Sequence, residues 1–160
     1  MKQRIAACFA ALIALTSGVG GAAGQAMAQQ QRSAGIEISS AWIQAPPQGA
    51  PVASGYMRIV NRGASGDRLL AISSPRAGRV EMHEMSMDGA VMRMRPLLYG
   101  VPVPANGAFE FSPSGAHVMF NNMDGAYGVG QTIPLRLTFQ RAGVVDILVP
   151  VQAMGGGMHH

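Results

Sequence analysis

The chain has 160 residues, with twelve Lys and Arg against eight Asp and Glu and a single cysteine. Charged residues make up only 12% of it and form no basic stripe, which argues against a nucleic-acid partner. Beyond Cys8 there is no thiol, so disulfides and thiolate chemistry are excluded from the rest of the chain.

Residues 1–28 read as a secretory signal peptide. Lys2 and Arg4 supply the basic start, Ile5 to Leu15 the apolar core, and Ala26-Met27-Ala28 a small-x-small cleavage pattern, with the cut expected after Ala28. Cys8 sits too early in that apolar core for a lipid-attachment cysteine and reads as signal filler. The apolar run is too short for a span, and no later segment offers the ~18 apolar residues that one needs, so a chain that does not span the membrane is expected. Removing Lys2 and Arg4 with the signal leaves ten arginines against eight acids, close to neutral, in 132 residues. That length suits one domain with a real core.

Residues 29–35 are expected to form a flexible polar leader. Short β-prone runs follow at 36–43, 53–61, 68–73, 79–87, 90–97, 108–111, 117–121, 132–140 and 144–151, broken by Gly, Pro, Asn and Asp. No stretch keeps a helical period, so many short strands with turns between them predict an all-β sandwich or barrel over 36–151. Alternation is clearest in Ile133, Leu135, Leu137 and Phe139, where Pro134 predicts that the strand starts at a sheet edge. Met57, Trp42 and Tyr56 read as core. Residues 152–160 read as a flexible Met/His tail.

Methionine and histidine share their positions. Nine of the twelve methionines fall in the second half, and each of the four histidines has a methionine within two residues. Asp88-Gly89 between two β-prone runs predicts a two-residue type I′ hairpin. In that register His83 faces Met94, Met85 faces Met92, and Glu84 faces Arg93, while Met82 faces Arg95. His83, Met85, Met87, Met92 and Met94 then share one face. His117 and Met119, two apart, share a face of another strand.

Soft thioethers and imidazoles without thiols suit Cu(I), whereas Ca or Mg would take oxygen ligands. Zinc usually recruits thiolate, imidazole or carboxylate instead. Thioethers also survive an oxidising compartment where thiols are lost. A blue-copper electron carrier needs a cysteine thiolate, which is missing. No Ser/His/Asp, Cys/His or paired-carboxylate arrangement stands out, so no enzyme is expected. The rival reading is a metal-free sandwich with methionines as packing.

Several segments resemble the periplasmic copper chaperones of the PCuAC type. They are Ala53-Ser54-Gly55-Tyr56-Met57, Asn61-Arg62-Gly63, Val80 to Met85, Gly89 to Pro96, Val103-Pro104-Ala105, Gly115 to Met119, and the stretch from Ile133 to Val151. The family's pattern of His, ten residues, Met, about twenty residues, then His-x-Met is matched by His83, Met94, His117 and Met119, with ten and 22 residues between. The resemblance implies a cupredoxin-like Greek-key β-sandwich with those four residues holding Cu(I). Met85, Met92, Met123, Met158, His159 and His160 are auxiliary candidates, with Cu(II) at the tail. It further implies a periplasmic, non-enzymatic carrier that delivers copper for the dinuclear site of cytochrome c oxidase. Its partners would be subunit II of the oxidase or a Sco-type thiol protein. A periplasmic copper-resistance or storage protein is the alternative. Residues 121–128 depart from the apolar-plus-basic loop expected after His-x-Met.

Overall fold

A computed structural model describes residues 31–154. The expected signal peptide, the first two residues of the leader, and Met158, His159 and His160 lie outside the described residues. Among those described there is no helix, and eleven strands account for the fold. They are β1 (Gln31–Ser33), β2 (Ile36–Gln44), β3 (Val52–Asn61), β4 (Asp67–Ser73), β5 (Ala77–Asp88), β6 (Val91–Pro96), β7 (Val101–Val103), β8 (Gly107–Phe111), β9 (Ala116–Met123), β10 (Thr132–Phe139) and β11 (Gly143–Gln152).

All nine expected strands are present. The two additions are three residues each, too short for a periodic signal. One of them, β1, arises within the expected polar leader and pairs with β2.

The strands follow the order β6-β5-β9-β3-β2-β11-β10-β4-β7, with β1 beside β2 and β8 beside β3. Antiparallel ladders run throughout, except that Val151 and Gln152 of β11 pair in parallel with Ile43 and Gln44 of β2. This junction joins a layer built on β6, β5, β9, β3 and β2 to one built on β11, β10, β4 and β7. Ile38, Ile59, Val118 and Phe120 of the first layer share one buried cluster with Leu69, Leu135, Leu137 and Val149 of the second. Burying such side chains contributes about 1.5–3 kcal/mol each.

In β10 the expected alternation holds, with Ile133, Leu135, Leu137 and Phe139 all buried. The edge expected at Pro134 is corrected. β10 is an inner strand between β11 and β4, but β4 pairs with it only from Arg136 onward. Pro134 lies past the end of β4, where its missing N–H costs no ladder bond. Its carbonyl instead accepts the Ser74 hydroxyl at 2.8 Å.

Met57 is buried, as expected, and so is Tyr56. Trp42 is only half-buried and lies against Tyr56, with ring centroids 4.7 Å apart. Gly55 permits a close approach at the β3–β9 seam: a Cβ there would meet the ring of Phe120 at 2.8 Å. Phe120 is fully buried and has no room to yield.

Candidate metal centre

The hairpin forms, but in a different register from the one expected. Asp88 pairs with Val91, Met87 with Met92, Met85 with Met94, Glu84 with Arg95 and His83 with Pro96. The loop is Gly89-Ala90 rather than Asp88-Gly89. Gly89 has φ of 62° and holds the first central position, which is the glycine position of a type II′ turn. One glycine therefore supplies the positive φ that a type I′ turn would have demanded of Asp88 as well. Asp88 stays in the strand, where its carboxylate accepts Arg93 Nε at 3.1 Å. That ion pair replaces the expected match of Glu84 with Arg93. Met82 does not face Arg95 but is buried in the core, and its carbonyl accepts the Leu97 N–H at 2.8 Å.

The displacement is two residues, so side-chain parity survives. His83, Met85, Met87, Met92 and Met94 still share a face, because only an odd shift turns a strand over. His83 and Met94 become diagonal neighbours instead of direct opposites, and Nδ1 of His83 lies 3.3 Å from Sδ of Met94.

Strand β9 lies on the other side of β5 and brings the second pair of candidates in. His83 pairs directly with His117, and Glu81 with Met119. The two imidazole rings meet edge to face with centroids 5.8 Å apart. Met119 follows His117 on the same face by the period of two, diagonal to His83. The fold thus gathers His83, Met94, His117 and Met119 on one face of three adjacent strands, β6, β5 and β9. The opposite face of β9 supplies Val118 and Phe120 to the core. That buried side fixes the direction in which His117 and Met119 point.

Each donor has its own environment. His117 is buried, the His83 side chain is 13% exposed, and Met94 is 50% exposed. Burial pushes the His117 imidazole below its ordinary pKa and neighbouring His83 adds to this, against a hydrogen bond to Gly115 that raises it. His117 Nδ1 lies 3.5 Å from the Gly115 carbonyl oxygen. That contact favours the tautomer with the proton on Nδ1, leaving the Nε2 lone pair available to an ion. The neutral form is the one that binds metal.

Glu81 was missed by the sequence reading. Its carboxylate lies 3.8 Å from His83 Nε2 and accepts Asn121 Nδ2 at 3.1 Å. A hydrogen bond from Arg79 is the chief cause of its lowered pKa, with burial opposing and with His83 and Asn121 assisting. An ionised carboxylate beside the ring nitrogen remote from Met94 is placed to orient the His83 ring. The signal was available, since Glu81 is two residues before His83 on the same strand face.

Of the auxiliary candidates, Met85 and Met92 lie on the face of the cluster, directly opposed to Met94 and Met87. Met123 does not belong with them. It pairs with Ala77 at the far end of β9 and packs against the core. It lies four positions beyond Met119, about 13 Å along an extended strand. Among the described residues no group of three or more His, Cys, Asp or Glu is poised for a metal. An ion on this face would have to take thioether donors.

Residues 36–151 match the family described as "Putative lipoprotein LpqE-like". A relative from Leifsonia xyli subsp. xyli, named "Putative lipoprotein Lxx21020", is 25% identical over 122 residues, spanning 76% of this chain and 72% of the relative. Among solved structures, the copper-bound PCuAC domain from PmoF2 is 26% identical with a TM-score of 0.65, covering 78% of this chain and 98% of that domain. The apo PCuAC domain from PmoF1 gives 25% identity and a TM-score of 0.66, covering 78% and 99%. The Cu(I) form of DR1885 from Deinococcus radiodurans shares the fold at 21% identity and a TM-score of 0.59, covering 83% of this chain and 87% of that one. With two sheets closed over one core, donors gathered on one face of β6, β5 and β9, and a family match from the first long strand to the last, the chain belongs to the LpqE-like family and carries the cupredoxin-like fold of PCuAC domains.

Proposed function

We propose that this protein is an exported, non-enzymatic Cu(I) carrier that binds one ion through His83, Met94, His117 and Met119. The observation that carries the reading is the convergence of two imidazoles and two thioethers on one face of β6, β5 and β9. This neutral, soft set suits Cu(I) and gives a hard cation little to hold. A solved relative at 26% identity was determined with copper bound, which supports the same cargo here. Half-exposed Met94 leaves the ion open on one side. A recipient's ligand can therefore join the coordination sphere before the last donor leaves.

Export is supported by the signal-like sequence of residues 1–28 and by relatives named as lipoproteins. The compartment we propose is the periplasm, and the recipient is the dinuclear copper site of cytochrome c oxidase, reached directly on subunit II or through a Sco-type thiol protein. Open, neutral ligation fits transfer better than storage.

The test is an anaerobic Cu(I) titration against a chromophoric competitor, with Met94→Ala alongside, followed by mixing the loaded protein with a soluble fragment bearing the dinuclear site. One tight equivalent, weakened in the variant and passed to the fragment, is expected. No competition by the wild-type chain would overturn copper binding. Tight binding with no transfer would favour the resistance or storage role.

A further inference from the structure

Two directly opposed methionine pairs, Met87 with Met92 and Met85 with Met94, stand side by side on the face that carries His83. Met87 is 63% exposed, Met92 61% and Met94 50%. Side chains this open are not packing, and that disposes of the core-filler reading for the tip of the hairpin. The sequence of β6 separates its donors from its charges. Met92 and Met94 alternate with Arg93 and Arg95, so the thioethers fall on one face and the guanidinium groups on the other. Arg93 is engaged with Asp88 on that other side.

Directly opposed Cβ atoms lie about 4.5–5.5 Å apart, and successive same-face positions along a strand about 6.6–6.8 Å. Four unbranched side chains, each with three rotatable bonds, can bring their sulfurs onto one ion from such a block. β6 is the last strand of its layer, so nothing within the described fold covers this approach.

We propose that the β5–β6 hairpin holds a second, weaker Cu(I) site made of thioethers alone, from Met85, Met87 and Met92. Met94 is shared with the imidazole site, and its Sδ lies 3.3 Å from His83 Nδ1. An ion captured at the tip reaches the imidazoles by exchanging one thioether at a time, with Met94 as the common ligand. The inference rests on the Cu(I) reading of the His83 face and extends it by a docking position for the incoming or outgoing ion.

The experiment follows the methionine methyl resonances of the full chain, labelled at the methionine methyl carbon, during anaerobic Cu(I) addition. A Met158→Leu/His159→Ala/His160→Ala background removes the tail donors. The first equivalent is expected to move Met94 and Met119, and the second Met85, Met87 and Met92. Met87→Leu/Met92→Leu keeps the apolar bulk and is expected to abolish only the second step. Methyls of Met87 and Met92 that stay unmoved through addition of the second equivalent would overturn the second site and leave the imidazole site standing. No response at any methyl would overturn both.

Discussion

The β10–β11 and β5–β6 hairpins have a similar antiparallel plan and opposite use. In β10–β11, Leu135, Leu137, Ile147 and Val149 all turn into the core, while outward positions carry Arg136 bound twice to Asp146 at 2.8 and 3.1 Å. In β5–β6 every residue of β6 is exposed, and the apolar side chains that would ordinarily go inward are held out as thioethers. Hydrophobicity alone does not distinguish the two. What separates them is whether an apolar face has a second layer to lie on. The β10–β11 hairpin stores stability, and the β5–β6 hairpin displays donors.

The largest effect should come from breaking the packed hairpin. Leu137→Ala is expected to cost about 2–5 kcal/mol by leaving a cavity, measured as a shift of the denaturant midpoint, with copper stoichiometry unchanged in the folded fraction. A loss of copper binding with full stability would contradict the division of labour. Met94→Leu comes next. It should lower Cu(I) affinity by more than the about 10–100-fold typical of an outer-shell loss. Its apo stability should stay within about 0.5 kcal/mol of wild type, because the site is half open.

Glu81→Gln removes the carboxylate beside His83 and is expected to cost about 10-fold in affinity. A variant with wild-type affinity would show that Glu81 serves only Arg79 and Asn121. A smaller effect is expected from pH. His117 has a lowered pKa in the fold, so the apo protein keeps this contribution to stability above the unfolded imidazole value near 6.5. It loses the contribution as pH falls through the folded value, because the unfolded chain takes up the proton first. Thermal melts of wild type and His117→Gln across pH 7 to 5 should therefore converge on the acid side.

The smallest effect is expected at the hairpin tip. Met87→Leu/Met92→Leu should leave apo stability within about 0.5 kcal/mol of wild type, as read from a chemical melt.

The fold was legible in the sequence wherever one face of a strand had to be buried. The alternation of Ile133, Leu135, Leu137 and Phe139 is a direct record of the second layer behind it. Three-residue strands such as Val101–Val103 leave no such record, since a period of two cannot show itself in so few residues. At the candidate site the face was readable and the register was not. Asp-Gly identifies a tight turn, but which residue enters it depends on whether the first must adopt positive φ. Here Asp88 is better satisfied in the strand by Arg93. The error was even, so parity protected the donor set while the partner of every residue changed. Met123 was misplaced for another reason. Proximity in sequence to His-x-Met says nothing about distance along an extended strand.

The β5–β9 ladder has a consequence for the life of the chain before it folds. His83 and Met94 belong to one hairpin, but His117 lies beyond Met94 with 22 residues between them and enters only when β9 zips onto β5. An unfolded chain therefore keeps the His83 and His117 clusters apart and offers no four-donor cup. A bound ion would favour the closed sheet by mass action, since it has affinity for that state and little for the open one. Cargo and sheet would then act as each other's clasp, with loading tightening the seam between β5 and β9.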